Sequence, residues 1–103
     1  MIRWIMDVLR GNAREARKYA TKAHELRDKS RQTADWCCDM AEAHLKFDDG
    51  GMTLARWHME HMADDGVGAE MIPGARMVYD ADLGDIAKDV ADVRALLEAY
   101  KRR

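Results

Sequence analysis

Apolar residues recur along most of this chain at alternating spacings of three and four, the period of an α-helix that buries one face. In the first segment, every position of this stripe except Asn12 is apolar or aromatic. Its members are Ile2, Ile5, Leu9, Asn12, Ala16, Tyr19, Ala23 and Leu26. The stripe continues past Gly11, which lies off it, so the pattern predicts one helix over residues 2–29 rather than two short ones.

A polar stretch over residues 28–33 separates this helix from the next one. It offers Ser30 and Thr33, whose hydroxyl oxygens can accept a hydrogen bond from the unpaired backbone N–H groups at a helix start. The sequence therefore predicts a tight turn near residues 30–33.

The second segment carries two adjacent apolar stripes. The first contains Thr33, Trp36, Met40, Ala43, Phe47, Gly50, Leu54, Trp57 and His61. The second contains Cys37, Ala41, His44, Asp48, Gly51, Ala55, His58 and Met62. Both keep their register across Asp48-Asp49-Gly50-Gly51, which favours one helix to about residue 64. The alternative is a break at residues 48–52, since each interior glycine costs roughly 1 kcal/mol relative to alanine.

The third segment follows a predicted loop at Asp65-Gly66-Val67-Gly68, with Pro73 well placed near a helix start. Its stripe predicts a helix over residues 75–101. The predicted buried positions are Leu83, Ile86, Val90, Val93 and Leu97, with Tyr79 and Tyr100 at the ends.

Together these elements predict an all-α fold, an antiparallel up-down-up bundle of three long helices in a single domain, residues 1–103. The composition agrees, with 48% apolar residues, 35% charged residues and one proline. Alanines are frequent in the first two helices, and small side chains let helix axes approach closely. We therefore expect these two helices to form a tight hairpin.

The net charge of −2 hides an uneven distribution. Residues 1–32 carry nine Lys or Arg and four Asp or Glu, whereas the remainder carries eight basic and fifteen acidic residues. A basic first helix can bind nucleic acid, but it can equally pair with the acidic remainder of its own bundle. Without a recognition-helix motif, we expect internal pairing and no nucleic-acid partner.

The cellular location of the protein and the redox state of its cysteines are predicted from features that the sequence does not show. The apolar start is interrupted by Arg3 and Asp7 and has no cleavage site of a signal peptide, and no apolar run approaches the roughly 20 residues of a membrane span. Cys37 and Cys38 are adjacent on a predicted helix, which disfavours a disulfide between them. We expect a cytoplasmic protein with reduced thiols, Cys37 in the core and Cys38 partly exposed, and no membrane partner.

Candidate metal ligands are His58 and His61, which lie three residues apart and so share one helical face. Two ligands do not complete a site, and Glu42, His44 and Cys37 lie at least two turns away. His44 is also a candidate proton acceptor or ligand on the second stripe. No Glu or Asp is followed three residues later by His, as a ferritin-like di-iron site requires. We expect no cofactor and no catalysis.

The chain resembles a group of small helical proteins from prophage regions of intestinal bacteria. The resemblance spans nearly the whole chain and rests on Tyr19-Ala20 with Lys22-Ala23-His24, on Met40-Ala41-Glu42-Ala43-His44-Leu45-Lys46, and on Met77-Val78-Tyr79-Asp80 leading to Val93-Arg94-Ala95-Leu96-Leu97-Glu98-Ala99-Tyr100. It implies a phage origin and a bundle that is ferritin-like in shape only, with no metal ligands to transfer. The chain departs from these proteins at residues 48–51, where they look continuously helical.

The expected function is that of a non-catalytic helical interaction protein. Helix two is apolar around a wider arc than its two neighbours and needs cover on more than one side. A homodimer that packs this surface against itself is the commonest way to bury it. The predicted interface residues are Trp57, Met62 and Trp36. The alternative is a metal-binding bundle that uses the His58/His61 pair.

Overall fold

Three α-helices make up the computed structural model, which describes residues 2–65 and 75–102. They are α1 (Ile2–Leu26), α2 (Arg31–Asp65) and α3 (Ala75–Arg102). The predicted all-α class is confirmed. At 1.5 Å per residue, the 35 residues of α2 span about 52 Å, which matches the long dimension of 54 Å. α2 therefore sets the length of the molecule.

The turn between α1 and α2 lies at residues 27–30, three residues before the predicted turn at residues 30–33, and residues 31–33 already form the first turn of α2. α1 ends at Leu26, three residues earlier than its pattern indicated, and the Leu26 carbonyl accepts hydrogen bonds from the N–H groups of Lys29 and Ser30. Ser30 caps α2, because its hydroxyl accepts a hydrogen bond from the Thr33 N–H at 3.4 Å and its carbonyl accepts one from Ala34 at 2.9 Å. Of the two predicted caps, Ser30 is the one used.

α2 runs through Gly50 and Gly51 without a break. The continuous helix is thus confirmed, and the alternative break at residues 48–52 does not occur. The predicted loop at residues 66–68 and Pro73 lie outside the described residues.

The core lies where one face of each helix meets the other two. All five predicted α3 positions, Leu83, Ile86, Val90, Val93 and Leu97, are buried. On α2, four of the buried positions belong to the second stripe: Cys37, Ala41, Asp48 and Ala55. The other five belong to neither predicted stripe and lie further around the helix: Ala34, Cys38, Leu45, Met52 and Met59. Cys38 is buried beside Cys37, and both are free thiols, so the expectation of a partly exposed Cys38 was wrong. The buried face of α2 therefore extends past the second stripe on the side of Cys38.

α1 and α2 pack more extensively against each other than either packs against α3. The contact is lined by small residues, all buried: Ala13, Ala16, Ala20 and Ala23 on α1, and Ala34, Ala41 and Ala55 on α2. Small side chains allow the two backbones to approach closely, as the alanine content predicted.

Ion pairs join the basic α1 to the acidic α3. Arg10 lies 3.1 Å from Asp82, and Arg17 lies 3.7 Å from Asp92. Arg94 of α3 pairs in turn with Asp49 of α2. These side chains are about a third to a half exposed, so each pair stabilises the fold by at most about 1 kcal/mol. The internal pairing expected for α1 is present, and it accounts for part of its positive charge.

Gly51 is required by the close approach of α1 and α2. A Cβ atom at this position would overlap Cδ2 of Leu9, a buried core residue. A Cβ at Gly84 of α3 would meet nothing within 4 Å. We expect Gly51→Ala to lower the free energy of unfolding by about 1 kcal/mol, because overpacking outweighs the gain in helix propensity.

Gly84→Ala is the matched control, and it should raise the free energy of unfolding by about 1 kcal/mol through helix propensity alone. Urea unfolding of both variants followed by circular dichroism measures the difference. If both substitutions stabilise the protein equally, the Leu9 side chain can move aside for the new methyl group without loss of free energy.

Candidate functional site

The first stripe of α2 forms an open apolar face. We call the residues Trp36, Met40, Ala43, Phe47, Gly50, Leu54 and Trp57 the Trp face. The exposed fractions of its large side chains are 54% for Trp36, 58% for Phe47, 56% for Leu54 and 55% for Trp57. Ala43 and Gly50 are also exposed, and Met40 is half-buried. No charged residue belongs to this face.

The Trp face is open because α1 packs against the second stripe of α2, about 100° further around the helix, and α3 packs against the buried positions beyond that stripe. Gly51 contacts Leu9 of α1, and Met59 lines a shallow hollow with Leu83 of α3. The small residues of the second stripe permit this approach, whereas tryptophan at those positions would hold the helices apart. The bulky stripe is thus left facing away from the bundle.

An aromatic contact joins the Trp face to α1. The ring of Tyr19 meets Trp36 edge to face, with centroids 5.8 Å apart, and stacks on the ring of His44 at 5.6 Å. Trp4 of α1 is 69% exposed and adds to the apolar surface of the molecule. Of the predicted interface residues, Trp36 and Trp57 lie on the open face, and the side chain of Met62 lies outside what the structure describes.

Beside the Trp face, a partly buried polar cluster joins α1 to α2. The Asn12 amide nitrogen donates to Asp48 Oδ1 at 2.8 Å and also to the backbone carbonyl of His44. The Asn12 amide oxygen accepts a hydrogen bond from Nδ1 of His44. Because an amide oxygen can only accept, Nδ1 carries the hydrogen. Asn12 thereby uses both of its N–H groups and its oxygen to fix α1 against α2.

Asp48 is the central residue of this cluster, and it is fully buried. Its Oδ2 has no hydrogen-bond partner. Burial, which disfavours the charged carboxylate, raises the pKa of Asp48 to about 6, although the Asn12 hydrogen bond and the nearby His44 oppose the shift. A buried carboxyl with one unpaired oxygen is most stable when it is protonated.

Of the three residues in this cluster, only His44 was a candidate from the sequence, although the positions of Asn12 and Asp48 also indicate it. Asn12 is the one polar position in the α1 stripe, and His44 and Asp48 interrupt the second stripe of α2 one turn apart. Polar residues inside buried stripes need partners, which they find in one another. What sequence spacing could not show is that positions 12 and 48 meet.

A second cluster closes the end of the bundle around Tyr100. The Tyr100 hydroxyl donates to Asp35 Oδ1 at 2.7 Å, and the guanidinium groups of Arg27 and Arg31 lie 4.5 Å and 5.3 Å from its ring centroid. The Tyr100 hydrogen bond lowers the pKa of Asp35, while burial raises the pKa of Tyr100. His24 completes the cluster with a ring nitrogen 2.8 Å from the Leu96 carbonyl. These contacts hold the ends of the three helices together, and the Tyr100 hydroxyl is buried and already hydrogen-bonded to Asp35.

The structure describes the side chains of two of the three predicted metal candidates. His44 belongs to the Asn12 cluster, His58 is half-buried on α2, and the side chain of His61 lies outside the described residues. Among the residues whose side chains are described, no three His, Cys, Asp or Glu form a group that could hold a metal ion. Cys38 lies 4.0 Å from Glu42, and burial raises the pKa of its thiol. A thiol with a raised pKa is a weak ligand and nucleophile at neutral pH.

Comparison of the chain with protein families, with curated proteins and with solved structures finds no match. Over residues 2–65 and 75–102, no helix is both long and apolar enough to cross a membrane.

Proposed function

We propose that this protein is a non-catalytic helical interaction protein that forms a homodimer in the cytoplasm through the Trp face. The observation that carries the proposal is the exposure of four large apolar side chains, Trp36, Phe47, Leu54 and Trp57, in a row along one side of α2. A single exposed apolar residue needs no explanation, but a continuous apolar patch marks an interaction surface.

The size of the Trp face supports this reading. Fully buried aromatic side chains remove about 150–250 Å² each from water, so the three half-exposed aromatic side chains present on the order of 300 Å², to which Leu54 adds. The largest apolar patch on a typical monomer is about this size, and such patches are often functional. In this chain the patch is one continuous stripe with no charge in it, which favours a stable protein contact over a solvated surface.

The contacts between helices support the up-down-up arrangement. From one end of α1 to the other, Arg10 meets Asp82 and His24 meets Leu96, so α1 and α3 advance together. Between α2 and α3 the order reverses, because Asp35 meets Tyr100 and Asp49 meets Arg94. This arrangement leaves the Trp face on the side of α2 away from α3.

The polar clusters support a role without catalysis. Within the described residues, the hydrogen bonds of the His44 side chain go to an amide, and no hydroxyl or thiol approaches it as a nucleophile would. The Tyr100 cluster is likewise closed by the residues that it ties together. Each cluster stabilises a helix contact and offers no open position to a substrate. The prophage origin, which rests on the resemblance, is part of the proposal and suits a small protein that acts by binding.

Trp57→Glu is expected to dissociate the homodimer, because it places a charge in an apolar contact that must exclude water. Light scattering at micromolar concentration should give the wild-type protein about twice the chain mass of 11.8 kDa and the variant the mass of one chain. Ala95→Glu adds the same charge at an exposed position of α3 and should leave the dimer intact. A wild-type mass of one chain, unchanged by Trp57→Glu, would contradict the proposal.

A further inference from the structure

Trp4 lies on the side of α1 that adjoins the Trp face. Among the described side chains of α1, it is the only large apolar one that is exposed, at 69%. A helix turns about 100° per residue, so Val8 lies about 20° and Trp4 about 60° around α1 from Tyr19. The Tyr19 ring contacts Trp36 of the Trp face. Trp4 and the half-buried Val8 therefore flank the Trp face on its α1 side.

Trp4 also lies level with one end of the Trp face. α1 and α2 run in opposite directions, and Leu9 of α1 packs beside Gly51 of α2. Both helices rise about 1.5 Å per residue, so five residues back from Leu9 and five residues forward from Gly51 lie at about the same height. Those steps lead to Trp4 on α1 and to the turn of α2 that carries Leu54 and Trp57. Tryptophans of two helices thus meet the solvent side by side at this end.

From this juxtaposition, and resting on the homodimer proposed above, we infer that α1 joins the dimer contact through Trp4. The surface that each copy presents is then two helices wide where Trp4 stands beside Trp57, and one helix wide around Trp36. Further along the same side of α1, Glu15 and Lys18 pair with each other at 3.1 Å and keep 48% and 73% of their side chains exposed. Exposed charges of this kind form the polar rim of an interface, so they mark where the contact on α1 ends.

The area needed for a stable dimer supports the contribution of Trp4. The three aromatic side chains of the Trp face present on the order of 300 Å² in one copy, and its other apolar residues add roughly 100 Å². Two copies then bury about 800 Å², below the roughly 1,000 Å² of a specific interface. Trp4 of each copy offers about 150 Å² at its exposure of 69%. With Trp4, the buried area rises to about 1,100 Å² and exceeds that bound.

The other large apolar side chains that are exposed outside the Trp face, Met77 and Val78, belong to α3. α3 packs against α2 beyond the second stripe, on the side away from the Trp face. A second copy that covers the Trp face can therefore reach α1, which adjoins it, but not α3. Within the described residues, Trp4 is the large exposed apolar side chain that can enlarge the contact.

Tryptophan fluorescence tests the inference without disrupting the contact. The sequence contains three tryptophans, so Trp36→Phe combined with Trp57→Phe leaves Trp4 as the only one, and phenylalanine keeps the Trp face apolar. A tryptophan that is removed from water emits at shorter wavelength. On dilution from the dimer to the monomer, the Trp4 emission should move to longer wavelength in step with the fall in mass measured by light scattering. A halved mass with unchanged emission would overturn the inference.

Substitution of Trp4 supplies a second measurement. Trp4→Glu should raise the dissociation constant of the dimer at least about ten-fold, because it places a charge in a contact that excludes water. Thr21→Glu adds the same charge at an exposed position of α1, beside Arg14 and Arg17 rather than the Trp face, and should leave the constant unchanged. Circular dichroism checks that both variants keep their helices. Equal dissociation constants for the two variants would contradict a contact through Trp4.

The outcomes separate the inference from the proposed function. If the wild-type protein has the mass of one chain at every concentration, the proposed homodimer is wrong, and the contact through Trp4 fails with it. If the mass of two chains persists in Trp4→Glu and the Trp4 emission does not change on dilution, the homodimer stands and α1 lies outside the contact.

Discussion

Replacing Val90 with aspartate is expected to lower the free energy of unfolding by about 3–5 kcal/mol, enough to unfold much of a marginally stable chain of this size. Val90 is 1% exposed and lies at the middle of the buried face of α3. The new carboxylate would have to be buried without a partner or expelled by displacing α3 from the bundle.

Ala91→Asp is the matched control for this prediction. It introduces the same charge one residue further along α3, at an exposed position. Its effect should stay within about 0.5 kcal/mol of wild type, as for most surface substitutions. Thermal melting of both variants at one protein concentration measures the contrast. If Val90→Asp melts like the wild-type protein, the face assigned to the core of α3 is wrong.

Replacing Asp48 with asparagine is expected to stabilise the protein at neutral pH by up to about 3 kcal/mol and to change its pH dependence. Asparagine keeps the oxygen that accepts the hydrogen bond from Asn12, and it removes the charge that burial disfavours. The variant then resembles the protonated form of the wild-type side chain at every pH.

The sign of the pH dependence follows from the pKa of Asp48, which burial raises from its ordinary value of 3.8 to about 6. Between these values the folded chain binds a proton that the unfolded chain releases, so the free energy of unfolding falls as pH rises. This contribution is fully present below pH 3.8 and is lost as pH rises through about 6. Asp48→Asn should therefore match wild type near about pH 4 and exceed it near about pH 7.5.

Urea unfolding at a series of pH values, compared between variant and wild type, isolates this residue from other titrating groups. Asp39→Asn changes the same functional group at an exposed position of α2 and serves as the control. Its curve should run parallel to that of wild type. If the free energy of unfolding of Asp48→Asn also runs parallel to that of wild type across the pH series, the buried carboxyl of Asp48 titrates like an exposed one.

Local information in the sequence was sufficient for the helices. The spacing of apolar residues located α1, α2 and α3, and Ser30 marked the start of α2, because helix periodicity and capping depend on residues only a few positions apart. The buried face of α3 was predicted position by position, since α3 carries one apolar stripe and that stripe has only one way to be covered. Continuity through Gly50 and Gly51 followed from the register on either side.

The sequence did not decide which of the two α2 stripes enters the core, and that choice determines the candidate site. Either stripe is apolar enough to be buried, so periodicity alone cannot rank them. The tertiary structure turns the smaller stripe toward α1, because the alanines of α1 and the contact of Leu9 with Gly51 allow a backbone approach that tryptophan would prevent. It also buries five α2 positions that belong to neither stripe, namely Ala34, Cys38, Leu45, Met52 and Met59. The same close approach brings Asn12 to Asp48 across 36 positions of the chain and turns the bulky stripe outward as the Trp face.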